Sequence, residues 1–498
     1  MKTKIYSFLL CAVLSFFLIN SGAKIRSIGY DKIPNNKIFD ERDYALQGLS
    51  IRKSGIPLGW SSSGSYDIPS NFPSSVDLEN LNIIADSVKP NFRNYRNFPK
   101  PLYIVKEYDF GFGEQQIKFV QPFLDHPPLG GVISSLGLNR STSLFNEITP
   151  DKYRRPMLII AVINSIILFL FISSYLNPFI GLLSVAVYNH VPTYMLSSRY
   201  ALLENISIPF MLLSLWTLLA FKNKIVNKSE NWYLYVIVPA FLSGVSVLVK
   251  ESSFGLTLGL VAIMISWKLN KKAIATFIGS AILPIFTYLL WALYLSPKVL
   301  ASIFNYHTGR SFSGSLGFLS SVLSLNFENF PLDGWWIWGF ISFVVMFIIL
   351  FKKFRDLLIP ITTYLLFITF TSSANFPWYY LGLIPFLSIS VSIVFWELIV
   401  KNTNLGIAIF FALIPLSSSF FWGYLVFHPP YNATLFKLII VSFISLAWIR
   451  IKFKSSLTKL IWIAFLIVIT YEISKWNRYS LLYIIDNWGN LPNVISIF

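Results

Sequence analysis

Two adjacent carboxylates, Asp40 and Glu41, lie in the stretch FDERDYALQGLSI, just after the first apolar run of the chain. A carboxylate at the edge of a membrane, partly removed from water, holds a proton more readily than one in bulk solvent. That suits it to act as a base toward a hydroxyl. The same pair could equally be solvated or cap a helix. What decides between these readings is which other groups the fold brings to the same place.

The elements that would do so are membrane spans. Of 498 residues, 55% are apolar, 17% aromatic and only 13% charged, too apolar a balance for a soluble domain of this size. The chain therefore reads as an all-α polytopic membrane protein. Apolar runs of crossing length fall near 5–22, 157–175, 178–196, 206–221, 232–249, 254–268, 273–295, 334–351, 357–371, 380–399, 404–426, 435–449 and 459–475. This gives about thirteen spans.

A formal charge of +17 raises the question of nucleic acid, and the distribution of that charge answers it. With the N-terminus inside, the loops on that side hold Lys2, Lys4, Lys222, Lys224, Lys228, Lys268, Lys271, Lys272, Lys352, Lys353, Arg355, Lys401, Arg450, Lys452, Lys454 and Lys459. The short loops on the other side hold only Arg199, Lys250, Lys298 and Arg310. The basic excess is thus mostly topology, and no nucleic-acid partner is expected. The four exceptions matter because a cation on the cation-poor side needs a partner, and an anionic substrate group would serve.

Residues 1–23 read as a retained first anchor; the alternative is a cleaved signal peptide ending at Ser21-Gly22-Ala23. Residues 24–155 form one large external loop, 156–475 the helical membrane domain and 476–498 an external tail. The only cysteine, Cys11, lies in the anchor, so neither an intrachain disulfide nor a cysteine metal cluster can form. Within the loop, Ala45, Leu46 and Leu49 share a face of a short helix from Glu41 to Ser54, read as lying along the membrane surface and stopped by Gly55 and Pro57. Residues 60–100, rich in Ser, Asn and Pro, read as an irregular insertion. LYIVKEYDFGFGEQQIKFVQPF at 102–123 reads as a β-hairpin. A second external segment spans 296–333.

Five short elements fall on one external face in this topology: Asp40-Glu41, LDHPPLGG at 124–131, SRYALLEN at 198–205, LVKESS at 248–253 and NYHTGR at 305–310. Their order resembles that in the protein O-mannosyltransferase and aminoarabinose transferase group: D-E-x-x-Y-A after the first span, H-P-P-L-G before the second, S-R-x-x-L-L-E between the third and fourth, and a Lys after the fifth. The resemblance runs from residue 1 to about 310 and more loosely through FPWYYLGLIPFLSI at 376–389. HPPLG is closer to the mannosyltransferase branch, and the span count to the aminoarabinose branch. Three departures stand out: Gly131 where the mannosyltransferase pattern has a Lys, Glu204 where it usually has Asp, and the 60–100 insertion.

This resemblance implies a GT-C fold and a glycosyltransferase of the cell envelope. It would move a sugar from a polyprenyl-phosphate donor to a protein or glycolipid hydroxyl on the external face of a prokaryotic plasma membrane, with inversion. It also implies that Asp40 is the base, that Glu41 orients the acceptor or Asp40, and that Arg199 contacts the donor phosphate. From the residues alone, Arg199 could instead pair with Glu204 or with lipid headgroups, and Glu204 could be a second acid of the site. Lys250 suits a phosphate clamp or a snorkelling interfacial lysine. His307 and Arg310 could donate to the leaving phosphate or be a solvated loop pair. His126, held before Pro127-Pro128, reads as a substrate contact or a turn residue.

His190 and His428 receive no role, and four scattered histidines make no metal site. No cofactor is required, though carboxylates at Asp40, Glu41 or Glu204 could hold a divalent cation. The rival class is a secondary transporter with proton- or cation-binding carboxylates. Transporters place such groups near the membrane midplane, whereas these lie at span ends. The lack of a GxxxxGK stretch argues against an ATP-driven pump.

Overall fold

The computed structural model describes residues 2–32, 40–61, 100–109, 114–308, 334–371, 377–420 and 433–486. Within the described residues, each of the thirteen apolar segments lies on helix, because backbone polar groups in a hydrocarbon setting must be satisfied within the segment itself. The first helices are α1 (Lys2–Ser27), α2 (Asp40–Ser54), α3 (Pro128–Ser134), α4 (Arg155–Tyr175), α5 (Pro178–His190), α6 (Pro192–Ser197), α7 (Leu203–Val226) and α8 (Trp232–Val249). There follow α9 (Phe254–Ser266), α10 (Lys271–Leu295), α11 (Pro297–Thr308), α12 (Gly334–Thr371), α13 (Ile384–Val394), α14 (Leu405–Phe411), α15 (Ala433–Lys452) and α16 (Ser456–Asp486).

Among the described residues, eight helical stretches are long and apolar enough to cross a membrane, and two shorter apolar ones accompany them. The protein is an integral, multi-pass membrane protein. Large apolar side chains such as Phe16, Ile348 and Ile467 point outward, as lipid-facing surface does. Segments 334–351 and 357–371 are continuous in α12, interrupted only at Phe354 (φ −119°, ψ 21°) within the run Lys352-Lys353-Phe354-Arg355. α16 continues to Asp486, past the boundary expected at 475.

Ion pairs group the span ends into two sets. At one end Lys222 reaches Asp356 at 2.6 Å, the indole N–H of Trp267 donates to Asp356 at 3.1 Å, and Lys353 meets Glu397 at 2.7 Å. These residues close α7, α9, the α12 kink and the helix after α13. At the other end lie Arg26, Arg154, Arg199, Glu204 and Lys250, all buried. The spans that these residues close thus alternate between the two ends in the order the charge pattern gives.

On this second end rests the segment between α1 and α4. Residues Ala45, Leu46 and Leu49 of α2 are buried, as the spacing predicts. Strand β1 (Gly59–Ser61), which the sequence did not suggest, pairs antiparallel with β3 (Glu114–Gln121), and β3 pairs antiparallel with β2 (Lys100–Asp109), in the order β1-β3-β2. The 60–100 insertion lies almost wholly outside the described residues. Helix α2 crosses α3 where Gly48 meets Gly131: a Cβ on Gly48 would stand 1.8 Å from the Gly131 carbonyl oxygen. One on Gly131 would stand 2.5 Å from Gln47 Oε1. A lysine at 131 would force the two helices apart, which accounts physically for the glycine there.

Candidate active site

The first turn of α2 gives the adjacent acids Asp40 and Glu41 different surroundings, since successive helical residues point about 100° apart. Glu41 is fully buried and accepts from Arg154, with Nε at 2.9 and 3.1 Å and Nη2 at 2.5 Å. The Ala201 N–H donates to the same carboxylate at 2.6 Å. Arg154 also donates from Nη1 to the Tyr30 carbonyl at 3.0 Å. One carboxylate thus ties α2 to the end of α1, the start of α4 and the turn before α7.

Asp40 is half-buried, and its charge acts on Asp43, Tyr44, Glu204 and Lys250. Asp43 is buried and accepts the Trp60 N–H at 2.8 Å. Burial, with Asp40 and Asp125 nearby, pushes its carboxyl well above the usual range despite that bond.

Lys250 stands at the end of α8 and is only 5% exposed, so it does not snorkel to headgroups. Its ammonium lies 3.5 Å from Glu204 and 3.7 Å from Glu251, with the Tyr379 ring centre 5.5 Å away. Burial alone would lower its pKa; the two carboxylates outweigh it and hold the group cationic above the usual lysine range. Glu251 in turn meets His126 Nδ1 at 3.0 Å. The His126 ring stands edge-on to Tyr44 at 5.3 Å, and its carbonyl accepts from Gln47 at 2.9 Å.

A cavity of about 390 Å³ opens beside this cluster. Asp125, His126, Lys250, Glu251, Tyr288, His307 and Tyr379 supply its polar lining. Leu289, Leu300, Ile303, Phe304, Phe367 and Ile368 supply an apolar lining. Such a cavity can hold a group that is anionic at one end and hydrocarbon at the other.

Of the residues singled out from sequence, His126, Lys250 and His307 line the cavity, and Glu204 and Asp40 bear on Lys250. Arg310 lies outside the described residues. Arg199 is not among the lining residues: its Nε donates to the Arg26 carbonyl at 2.9 Å and its Nη2 to the Ile28 carbonyl. The alternative of an Arg199–Glu204 pair is not formed, because Lys250 occupies the acid instead. Arg154, Asp43, Tyr44 and Tyr379 escaped the sequence reading. Arg154 is 113 residues from its acid, and no local pattern announces such a partner. Among the described residues, no three His, Cys, Asp or Glu side chains form a metal-holding group.

Residues 125–291, which carry His126, Arg154, Glu204, Lys250 and Glu251, match the family described as dolichyl-phosphate-mannose-protein mannosyltransferase. Over these residues the chain is similar to glycosyltransferases, and its fold is the GT-C fold. The chain is similar in structure to ArnT from Cupriavidus metallidurans bound to undecaprenyl phosphate, with a TM-score of 0.54 at 13% identity over 94% of this chain and 77% of that one. The apo state of the same protein gives 0.46 at 12% identity, over 73% and 67%. The Archaeoglobus fulgidus oligosaccharyltransferase in its apo form gives 0.45 at 10% identity, over 95% and 56%. No curated protein matches the chain in sequence.

Proposed function

We propose that the enzyme transfers a sugar from a polyprenyl-phosphate donor to a hydroxyl of a protein or glycolipid, with inversion at the sugar carbon. The observation that carries this reading is the buried Lys250 ammonium, within the field of Asp40, beside a cavity part polar and part apolar. ArnT was solved with a polyprenyl phosphate, which fits a donor of this class.

In this reading Asp40 takes the proton of the acceptor hydroxyl as its oxygen attacks the anomeric carbon. The bond from that carbon to the phosphate oxygen breaks, and the phosphate leaves with the electron pair. Lys250 holds the phosphate as its charge develops, helped by His126 and His307 from the cavity lining. Glu251 is the more exposed of the two acids on Lys250, and its side chain swings aside as the phosphate arrives. Glu204 remains as the buried counter-ion. Glu41 is a positioning residue for Asp40, and Arg199 a positioning residue for the end of α1. In this reading the reaction runs on the external face of a plasma membrane, of prokaryotic type by the resemblance, which the scarcity of cations in the loops on that side supports.

The test is transfer of radiolabelled sugar from a panel of polyprenyl-phosphate donors by purified, lipid-reconstituted enzyme. Donor consumption that depends on Asp40 is expected. A panel left intact by the wild-type enzyme would overturn the donor class.

A further inference from the structure

A second cavity, of about 520 Å³, shares no lining residue with the first. It lies between α1, α5, α13 and α16, with Phe17, Val187, His190, Phe395, Tyr471 and Asn477 in its walls. We infer that it is a lipid site, taking one acyl chain of an anionic glycerophospholipid of the leaflet next to the active site. This inference is independent of the sugar-transfer chemistry.

The lining is matched to hydrocarbon. Two of its hydroxyls are turned away to their own helices: Thr470 donates to the Leu466 carbonyl at 2.7 Å and Ser392 to the Ser388 carbonyl at 2.7 Å. Water has few partners on such a wall, and an apolar chain loses nothing there. Two π-helical stretches, Phe395–Lys401 and Ala412–Leu416, adjoin it, and the widened turns leave Phe395 and Phe411 as its floor, ring centres 5.3 Å apart. Phe17 and Tyr471, both outward-facing, stand at its open side.

Length and charge select the occupant. From Leu182 to His190 and from Ile467 to Asn477 the cavity follows about 12 to 15 Å of helix, the hydrocarbon depth of about one leaflet. It ends where His190 and Asn477 meet the end of the bundle that carries the active site: Asn189, the neighbour of His190, accepts from Arg26 at 2.5 Å, and the Arg26 carbonyl accepts from Arg199. The charges of Arg26 and Arg478 both act on His190. Arg26 spends its donors on Ser198, Asn189 and the Tyr188 carbonyl, whereas Arg478 is exposed and forms no ion pair among the described residues. An exposed guanidinium at headgroup depth, above a chain-length groove, favours an anionic headgroup.

The test uses the full chain in nanodiscs of mixed phosphatidylcholine and phosphatidylglycerol, with a benzophenone amino acid in place of Tyr471, or of Ile348 on the outward face of α12 as control. Photo-adducts at 471 are expected to favour phosphatidylglycerol roughly fivefold. The preference should vanish in Arg478→Ala and be absent at 348. Equal labelling of the two lipids at 471, or a preference that survives Arg478→Ala, would overturn the inference. So would displacement of phosphatidylglycerol by added undecaprenyl phosphate, which would make the groove a carrier-lipid site.

Discussion

Arg154 Nη2 lies 2.5 Å from Glu41 Oε2, with both side chains shut off from solvent. An isolated charge in that position would be costly, so each partner depends on the other. Glu41→Gln leaves the guanidinium with only neutral partners and is expected to cost about 3 to 5 kcal/mol, read by thermal unfolding in detergent. Arg154→Met in the Glu41→Gln background should recover much of that loss by replacing the pair with apolar contact. A Glu41→Gln enzyme of wild-type stability but no activity would instead place Glu41 in the chemistry.

Lys250 carries a mixed signature. Lys250→Ala strands the buried Glu204 and removes the proposed phosphate cation, so stability and transfer should both fall. Adding Glu204→Gln removes the stranded charge and is expected to restore stability while transfer stays at least about 100-fold down. Restored transfer in the double variant would show that Lys250 serves only the ion pair.

Arg199 is expected to behave differently from Lys250. Its Nε and Nη2 hold the carbonyls of Arg26 and Ile28, so Arg199→Ala should loosen the end of α1 and lower the unfolding temperature. The KM for donor should change little in the fraction that stays folded. A selective rise in donor KM at unchanged stability would assign Arg199 to the phosphate after all.

Asp43 sets a pH dependence opposite in sign to that of a salt-bridged acid. Its carboxyl is raised in the folded state, so the fold binds its proton more tightly than the unfolded chain does. That contribution is full below the ordinary aspartate range and is lost as pH rises toward the folded value. Asp43→Asn keeps an acceptor for the Trp60 N–H and removes the charge. Its unfolding temperature should therefore gain on wild type as pH rises from acid to alkaline, and an unchanged difference across that range would refute the sign.

Much of this architecture was legible in the sequence because bilayer length imposes runs of about 20 apolar residues, which composition reveals without any contact. The antiparallel pairing of β2 with β3 was legible too, since 102–123 holds two β-rich runs separated by Gly111 and Gly113. The break in α12 was harder: Lys352, Lys353 and Arg355 read as a loop, yet the helix continues through them with only Phe354 departing. In the site, local spacing identified Asp40, Lys250 and His126 as worth following. It could not separate Asp40 from Glu41, because which face of α2 is buried depends on Arg154 and Ala201, both more than 100 residues away. It offered Glu204 as a partner for Arg199, only five residues back, and the fold gave that acid to Lys250.

The proposed role of Asp40 as the base for sugar transfer is measured most directly by single-turnover transfer from a polyprenyl-phosphate sugar by the Asp40→Asn protein in lipid. The reading predicts a loss of at least about 100-fold, with wild-type unfolding temperature and unchanged binding of the polyprenyl phosphate. Transfer at the wild-type rate by the folded Asp40→Asn enzyme would contradict it.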